Sequence, residues 1–152
     1  MSRRSEIQMS DAEVGAFLRE QRLVSVATNG RDGWPHLMPL WYTVRGERDV
    51  WVWTYAASQK VRNLERDPRA TLSVEAGERY EELRGVMLRA HAEIERDRDI
   101  VQALGSEVYA RYLGPGELPP AVAEMIARQA PKRVGIRFAE SACASWDHRK
   151  LA

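Results

Sequence analysis

Apolar and polar positions alternate with a period of two along much of the chain, which predicts strands. Residues 23–28 alternate and are rich in β-formers, and Asn29-Gly30-Arg31-Asp32-Gly33 behind them suits a hairpin loop. A long strand is predicted over 34–45, a turn at Gly46-Glu47-Arg48-Asp49, and a strand over 50–55. Residues 71–75 put Leu72 and Val74 on one face. Residues 82–95 set Val86, Leu88, Ala90, Ala92 and Ile94 against Met87, Arg89, His91 and Glu93. A last strand is predicted from Arg133 to about Ala139, leading into Ser145-Trp146-Asp147-His148.

Between these segments the period lengthens to that of a helix. Ser10-Asp11-Ala12-Glu13 is a capping box, with Val14, Phe17 and Leu18 behind it. A short helix is predicted over 58–66, stopped at Asp67-Pro68 because proline cannot continue it. From about Asp97, the residues Ile100, Val101, Leu104, Val108 and Tyr112 form an apolar stripe, broken by Gly114-Pro115-Gly116. Pro119-Pro120 opens another helix through Val122, Met125 and Ile126. About six strands joined mainly by short hairpins imply antiparallel pairing. The fold class expected is therefore mainly β with small helices, a barrel or sandwich in one domain over 1–152, with 1–9 flexible.

Composition narrows the function. The net charge is +1 with both signs interleaved, which argues against a nucleic-acid binder. No apolar run reaches the ~20 residues of a membrane span. The start of the chain lacks a signal peptide's apolar core, and the single Cys143 suits a reducing compartment, so a cytoplasmic location is expected. His36, His91 and His148 have no metal-ligand spacing, Cys143 has no base beside it, and glycine-rich phosphate loops are absent.

One segment carries chemistry: Tyr55-Ala56-Ala57-Ser58-Gln59-Lys60-Val61-Arg62-Asn63-Leu64. Helices favour acids in the first turn and bases in the last, and here Lys60 and Arg62 come early while Glu65 and Asp67 come late. Lysine occurs only at 60, 132 and 150. An anion held by the helix-start N–H groups, the Ser58 hydroxyl and Lys60 would resolve the inverted order. A solvated helix that tolerates poor charge order is the other reading. Trp51, Trp53 and Tyr55 share one strand face opposite Val50, Val52 and Thr54, with Trp34 and Trp41 on the strand before. Such a face packs a core, a partner subunit or a planar ligand, and apolar surface on both faces favours a dimer.

The runs from Leu23 to Thr28, from His36-Leu37-Met38-Pro39-Leu40-Trp41-Tyr42, and from Ser58-Gln59-Lys60-Val61-Arg62-Asn63-Leu64 to Asp67-Pro68-Arg69 resemble the pyridoxamine 5′-phosphate oxidase-like superfamily. The tail Ser145-Trp146-Asp147-His148-Arg149-Lys150-Leu151 and the stretch Tyr80 to Val86 resemble more narrowly its F420-dependent flavin/deazaflavin oxidoreductases. The resemblance implies a split β-barrel homodimer with cofactor sites along the subunit interface. It implies that Met38, Pro39, Leu40 and Trp41 pass the cofactor ring, and that Thr54, Ser58, Gln59 and Lys60 hold its phosphate. Asn63 would support that loop, and Trp146 would lie near the partner's site.

The chain departs from the resemblance in two places. Gln59 stands where flavin-binding oxidases carry arginine, which weakens an FMN reading, although Arg62 could compensate. The oxidase's substrate motif of arginine and histidine is missing, which argues against pyridoxamine phosphate oxidation. The expected activity is hydride transfer from reduced coenzyme F420 to an unsaturated or conjugated small molecule, with no catalytic side chain named. The alternatives are an FMN oxidoreductase of the same fold and a cofactor or tetrapyrrole carrier without turnover.

Overall fold

The computed structural model describes residues 2–152. Six strands close into one antiparallel barrel, ordered β1-β2-β3-β6-β5-β4. They are β1 (Leu23–Asn29), β2 (Pro35–Arg45), β3 (Asp49–Tyr55), β4 (Arg69–Ala76), β5 (Arg84–Glu95) and β6 (Arg133–Asp147). The helices are α1 (Arg3–Glu6), α2 (Asp11–Glu20), α3 (Gln59–Arg66), α4 (Arg98–Leu113) and α5 (Pro120–Gln129). The expected mainly-β class with small helices is the observed one.

Alternation builds the barrel interior. Val24 and Val26 of β1, Val50 and Val52 of β3, Leu72 and Val74 of β4, and Val86, Leu88 and Ala90 of β5 all point inward. α2 closes one side with Val14, Phe17 and Leu18, and its capping box forms as expected, Ser10 Oγ accepting from the Glu13 N–H. Of residues 1–9, Met1 lies outside the described residues; Arg3–Glu6 form a helical turn, Met9 is buried and its N–H donates to Ser145 Oγ.

A second apolar cluster sits outside the barrel. Trp53 is packed beneath Val101, Leu104 and Val108 of α4 and Ile126 of α5, with Trp51 at its margin. At Gly105 the α4 backbone approaches so closely that a Cβ would come within 2.7 Å of the Trp53 ring. The tryptophan face of β3 is thus covered by the chain's own helices, which removes Trp53 as a platform for a partner or ligand.

Three boundaries and one buried face differ from expectation. Trp34 precedes β2 and lies in the loop. Ile100 is exposed, and Gly105 takes its place on the buried stripe of α4. Residues 80–82 form a 3₁₀ turn, so β5 starts at Arg84. β6 does not end near Ala139: it runs on to Asp147, pairing with β5 from Gly135 onward across a bulge. Pairing with a long neighbour carries it through Glu140-Ser141, where local alternation fades.

Candidate functional site

β3 ends at Tyr55, and the turn through Ala56 and Ala57 delivers Ser58 to the start of α3. Thr54 continues the inward row of Val50 and Val52, so its hydroxyl lies inside the barrel wall. Lys60 is buried at 8% exposure and its Nζ donates to Thr54 Oγ1 at 3.0 Å. Among the described residues no carboxylate pairs with it. Burial pulls the Lys60 ammonium below its ordinary value, and the positive Arg133 adds to the shift.

Ser58 holds the N-cap position, but its side chain makes no capping bond. Its Oγ is buried and has no hydrogen-bond partner. The Ser58 hydroxyl therefore caps nothing and is left without a partner. The first turn of α3 contains no acid. The opening N–H groups of a helix have no intrahelical acceptor. One buried cation, one orphaned hydroxyl and a free helix start converge on a few residues.

Behind them runs a second chain of contacts. Gln59 Nε2 donates to Asn63 Oδ1 at 2.9 Å, and the fully buried Asn63 donates through Nδ2 to Thr28 Oγ1 at 3.1 Å. Gln59 is thus engaged with the helix's own asparagine. Thr28 was not singled out from the sequence, although a threonine at an inward position after Val24 and Val26 is the signal that finds it. A hollow of about 380 Å³ lies beside this chain, lined by Trp34, Pro35, His36, Gln59 and Asn63, among others. His36 Nδ1 is buried there without a partner.

The remaining predicted residues divide. On β2, Met38, Pro39 and Trp41 are exposed, but Leu40 turns inward and packs on the barrel core. The Leu40 side chain is therefore half-buried. Trp41 is stacked on Tyr112 at 4.0 Å between ring centroids, which occupies one of its faces. Trp146 lies on β6 opposite Gly85, whose missing side chain makes room for the indole: a Cβ there would stand 2.0 Å from the ring. It lines a separate hollow of about 510 Å³ with Arg4, Ile7, Met87 and Cys143. This hollow is separate from the one beside Gln59 and Asn63.

Arg133 is a second cation missed from the sequence. Its guanidinium lies 3.6 Å from the Tyr55 ring centroid and 4.3 Å from that of Trp53, and it donates to Gln129 Oε1. His148 is occupied with the Tyr80 carbonyl at 2.7 Å. Burial pushes the Cys143 thiol upward, which leaves it a poor nucleophile.

The chain is similar over 99% of its length to the conserved hypothetical protein Rv2991 from Mycobacterium tuberculosis, at 40% identity and TM-score 0.89, covering 92% of that chain. It is similar to an F420 reductase at 25% identity and TM-score 0.66, over 85% of this chain and 94% of the other. A Mesorhizobium loti FAD-binding protein, 17% identical with TM-score 0.66 over 91% of this chain and 94% of that one, shares the fold. Comparison with curated proteins gave no match. The family model described as pyridoxamine 5′-phosphate oxidase matches residues 10–146, and the chain belongs to that family.

Proposed function

We propose that this protein is an oxidoreductase that binds reduced coenzyme F420 and directs its hydride to an unsaturated or conjugated small molecule. The observation that carries the reading is the pairing of buried, acid-free Lys60 with the orphaned Ser58 hydroxyl at the start of α3. A buried ammonium without a carboxylate is costly unless an anion meets it. A phosphate at this point would be accepted by Lys60, Ser58 and the helix N–H groups, with Thr54 holding the lysine in place. The residues present fit a phosphate-bearing cofactor.

The uncharged Gln59, engaged with Asn63, favours the deazaflavin over FMN, since it stands where flavin-binding oxidases carry arginine. The 25% identity to an F420 reductase supports the same choice. Reduced deazaflavin supplies a two-electron hydride, so this chain's task is to bind, orient and dry the site. Exposed Met38 and Pro39 on β2 offer the backbone and apolar surface against which a ring system would rest.

The protein is read as a homodimer whose second copy covers this side. Leu23, Leu37, Met38 and Trp34 are exposed on neighbouring parts of β1 and β2 and the loop between them, with Leu23 directly opposite Trp41. Among the described residues they belong to neither apolar cluster, in contrast to Trp53 of β3, which α4 and α5 cover.

Titrating the purified protein with oxidised F420, and separately with FMN, while following tryptophan fluorescence tests the reading. Saturable quenching by F420, with FMN much weaker, is expected. Tighter binding of FMN would overturn the cofactor assignment.

A further inference from the structure

A hollow of about 450 Å³ opens where β4 and β5 pass the end of β1. Its polar lining includes Thr28, Arg69, Thr71, Arg89, His91 and Ser141, and no carboxylate lines it. Register places Arg69 opposite His91 and Thr71 opposite Arg89, so these four side chains leave one face of the sheet. Arg69 and Arg89 are then diagonal neighbours, a separation of about 7–8 Å at which like charges oppose each other.

The two arginines are held differently. Arg69 is fixed by Asp67, with Nε to Oδ1 at 3.0 Å and Nη2 to Oδ2 at 2.8 Å. Asn29 Nδ2 donates to the same carboxylate, and these bonds hold the Asp67 carboxyl well below the usual range. The Arg89 guanidinium has no ion pair and no hydrogen bond among the described residues. Glu93, two residues along the same face, is committed to Arg137.

The sheet is irregular at this point. Arg89 pairs with Ala142 and Ala90 with Glu140, so Ser141 is the extra residue of a bulge. Its Oγ donates to the Arg89 carbonyl at 3.1 Å and lines the hollow. Bulges re-aim side chains and gather beside binding sites. Thr28 joins this hollow to the cofactor side, because its hydroxyl accepts from Asn63. Pro35 lines both this hollow and the one beside Gln59.

We propose that this hollow is an oxyanion site that anchors the carboxylate of an acidic small-molecule substrate. Arg89 is its principal contact, with the free edge of the pre-set Arg69 as second donor. A guanidinium fork matches a carboxylate in two parallel hydrogen bonds. The substrate assignment rests on the cofactor reading above; the binding of an oxyanion does not. The other source of the same chemistry is an acidic group on the cofactor.

The test is an amide-resolved NMR titration with succinate, in the presence and absence of F420, on the wild type and on Arg89→Gln and Arg89→Lys. Saturable shifts at Thr71, Arg89 and Ser141 are expected, unaltered by saturating F420. Affinity should fall about tenfold in Arg89→Gln, with partial recovery in Arg89→Lys, which keeps the charge and loses the fork. Tryptophan quenching by F420 should be unchanged in both variants. Absence of saturable shifts, shifts confined to Ser58 and Lys60, or equal affinity in Arg89→Gln overturns the site. Displacement of succinate by F420 assigns the hollow to the cofactor and overturns the substrate part. Succinate binding in the hollow of a protein that fails to bind F420 leaves the oxyanion site standing and removes the cofactor reading alone.

Discussion

Arg111 and Lys60 both lie at least partly within the molecule without a carboxylate, and they meet opposite fates. Arg111 of α4 is engaged with four backbone carbonyls. Its Nη1 donates to the Tyr42 carbonyl at 2.7 Å, and its Nη2 to those of Leu18, Arg19 and Gln21 at 2.8, 2.8 and 2.6 Å. Three of those carbonyls belong to the end of α2, where a helix has acceptors without intrahelical donors. The guanidinium also lies 4.4 Å from the Tyr42 ring centroid. Lys60 has three N–H donors and one protein acceptor, Thr54 Oγ1. Being unpaired by an acid does not distinguish a ligand site from a structural one. Unspent donor capacity does.

The largest effect expected is on Arg111. Arg111→Ala leaves the carbonyls at the end of α2 without donors and should cost about 3 kcal/mol, lowering the melting temperature by roughly 10 °C. Cofactor affinity measured on the folded fraction should not change. A stable Arg111→Ala protein with weakened F420 binding would break the comparison.

Lys60→Met should act in the reverse sense. It should weaken F420 binding by about 1.5 kcal/mol or more, the low end for a charge-assisted hydrogen bond. It should also raise the stability of the ligand-free protein by about 1 kcal/mol, because an uncompensated buried charge is gone. Lost stability with unchanged affinity would make Lys60 structural, as Arg111 is.

The two regions also titrate in opposite directions. Tyr42, whose hydroxyl donates to the Leu18 carbonyl at 2.6 Å, is pushed up to about 12 by burial, from 10.0. The unfolded chain gives up this proton first, so stability should fall as pH rises from 10 towards 12. Tyr42→Phe should remove that alkaline loss in a pH series of urea melts. Lys60 is shifted down, so between its folded value and its ordinary one the unfolded chain holds more protons. Its contribution therefore rises with pH through that window, and Lys60→Met should flatten it.

The smallest effect is at Ser58. Ser58→Ala should weaken F420 binding by about 1 kcal/mol, the worth of one hydrogen bond to a neutral donor. The stability of the ligand-free protein should hardly move, since the hydroxyl caps nothing. A clear stability loss in a thermal melt would give the hydroxyl a structural role instead of a ligand-binding one.

Much of the architecture was legible in the chain. Alternation in β1, β3, β4 and β5 marked which side chains share a face, and the Ser10 capping box placed α2. Both signals are local: a strand's period and a cap's hydrogen bonds involve residues a few positions apart. The inverted charge order of α3 drew attention to Lys60 for the same reason.

What the sequence could not decide depended on contacts between distant segments. Whether the tryptophan face of β3 met a ligand or a helix was settled by α4, some fifty residues away, folding back over Trp53. Pairing with β5 carried β6 on to Asp147, through residues whose own alternation had faded. Leu40 and Met38 share a parity on β2, yet one is packed on the barrel core and the other is exposed. Thr28 and Arg89 acquired their places through Asn63 and through the bulge at Ser141. Local pattern determines which way a residue points; only the closed barrel and its covering helices determine what it points at.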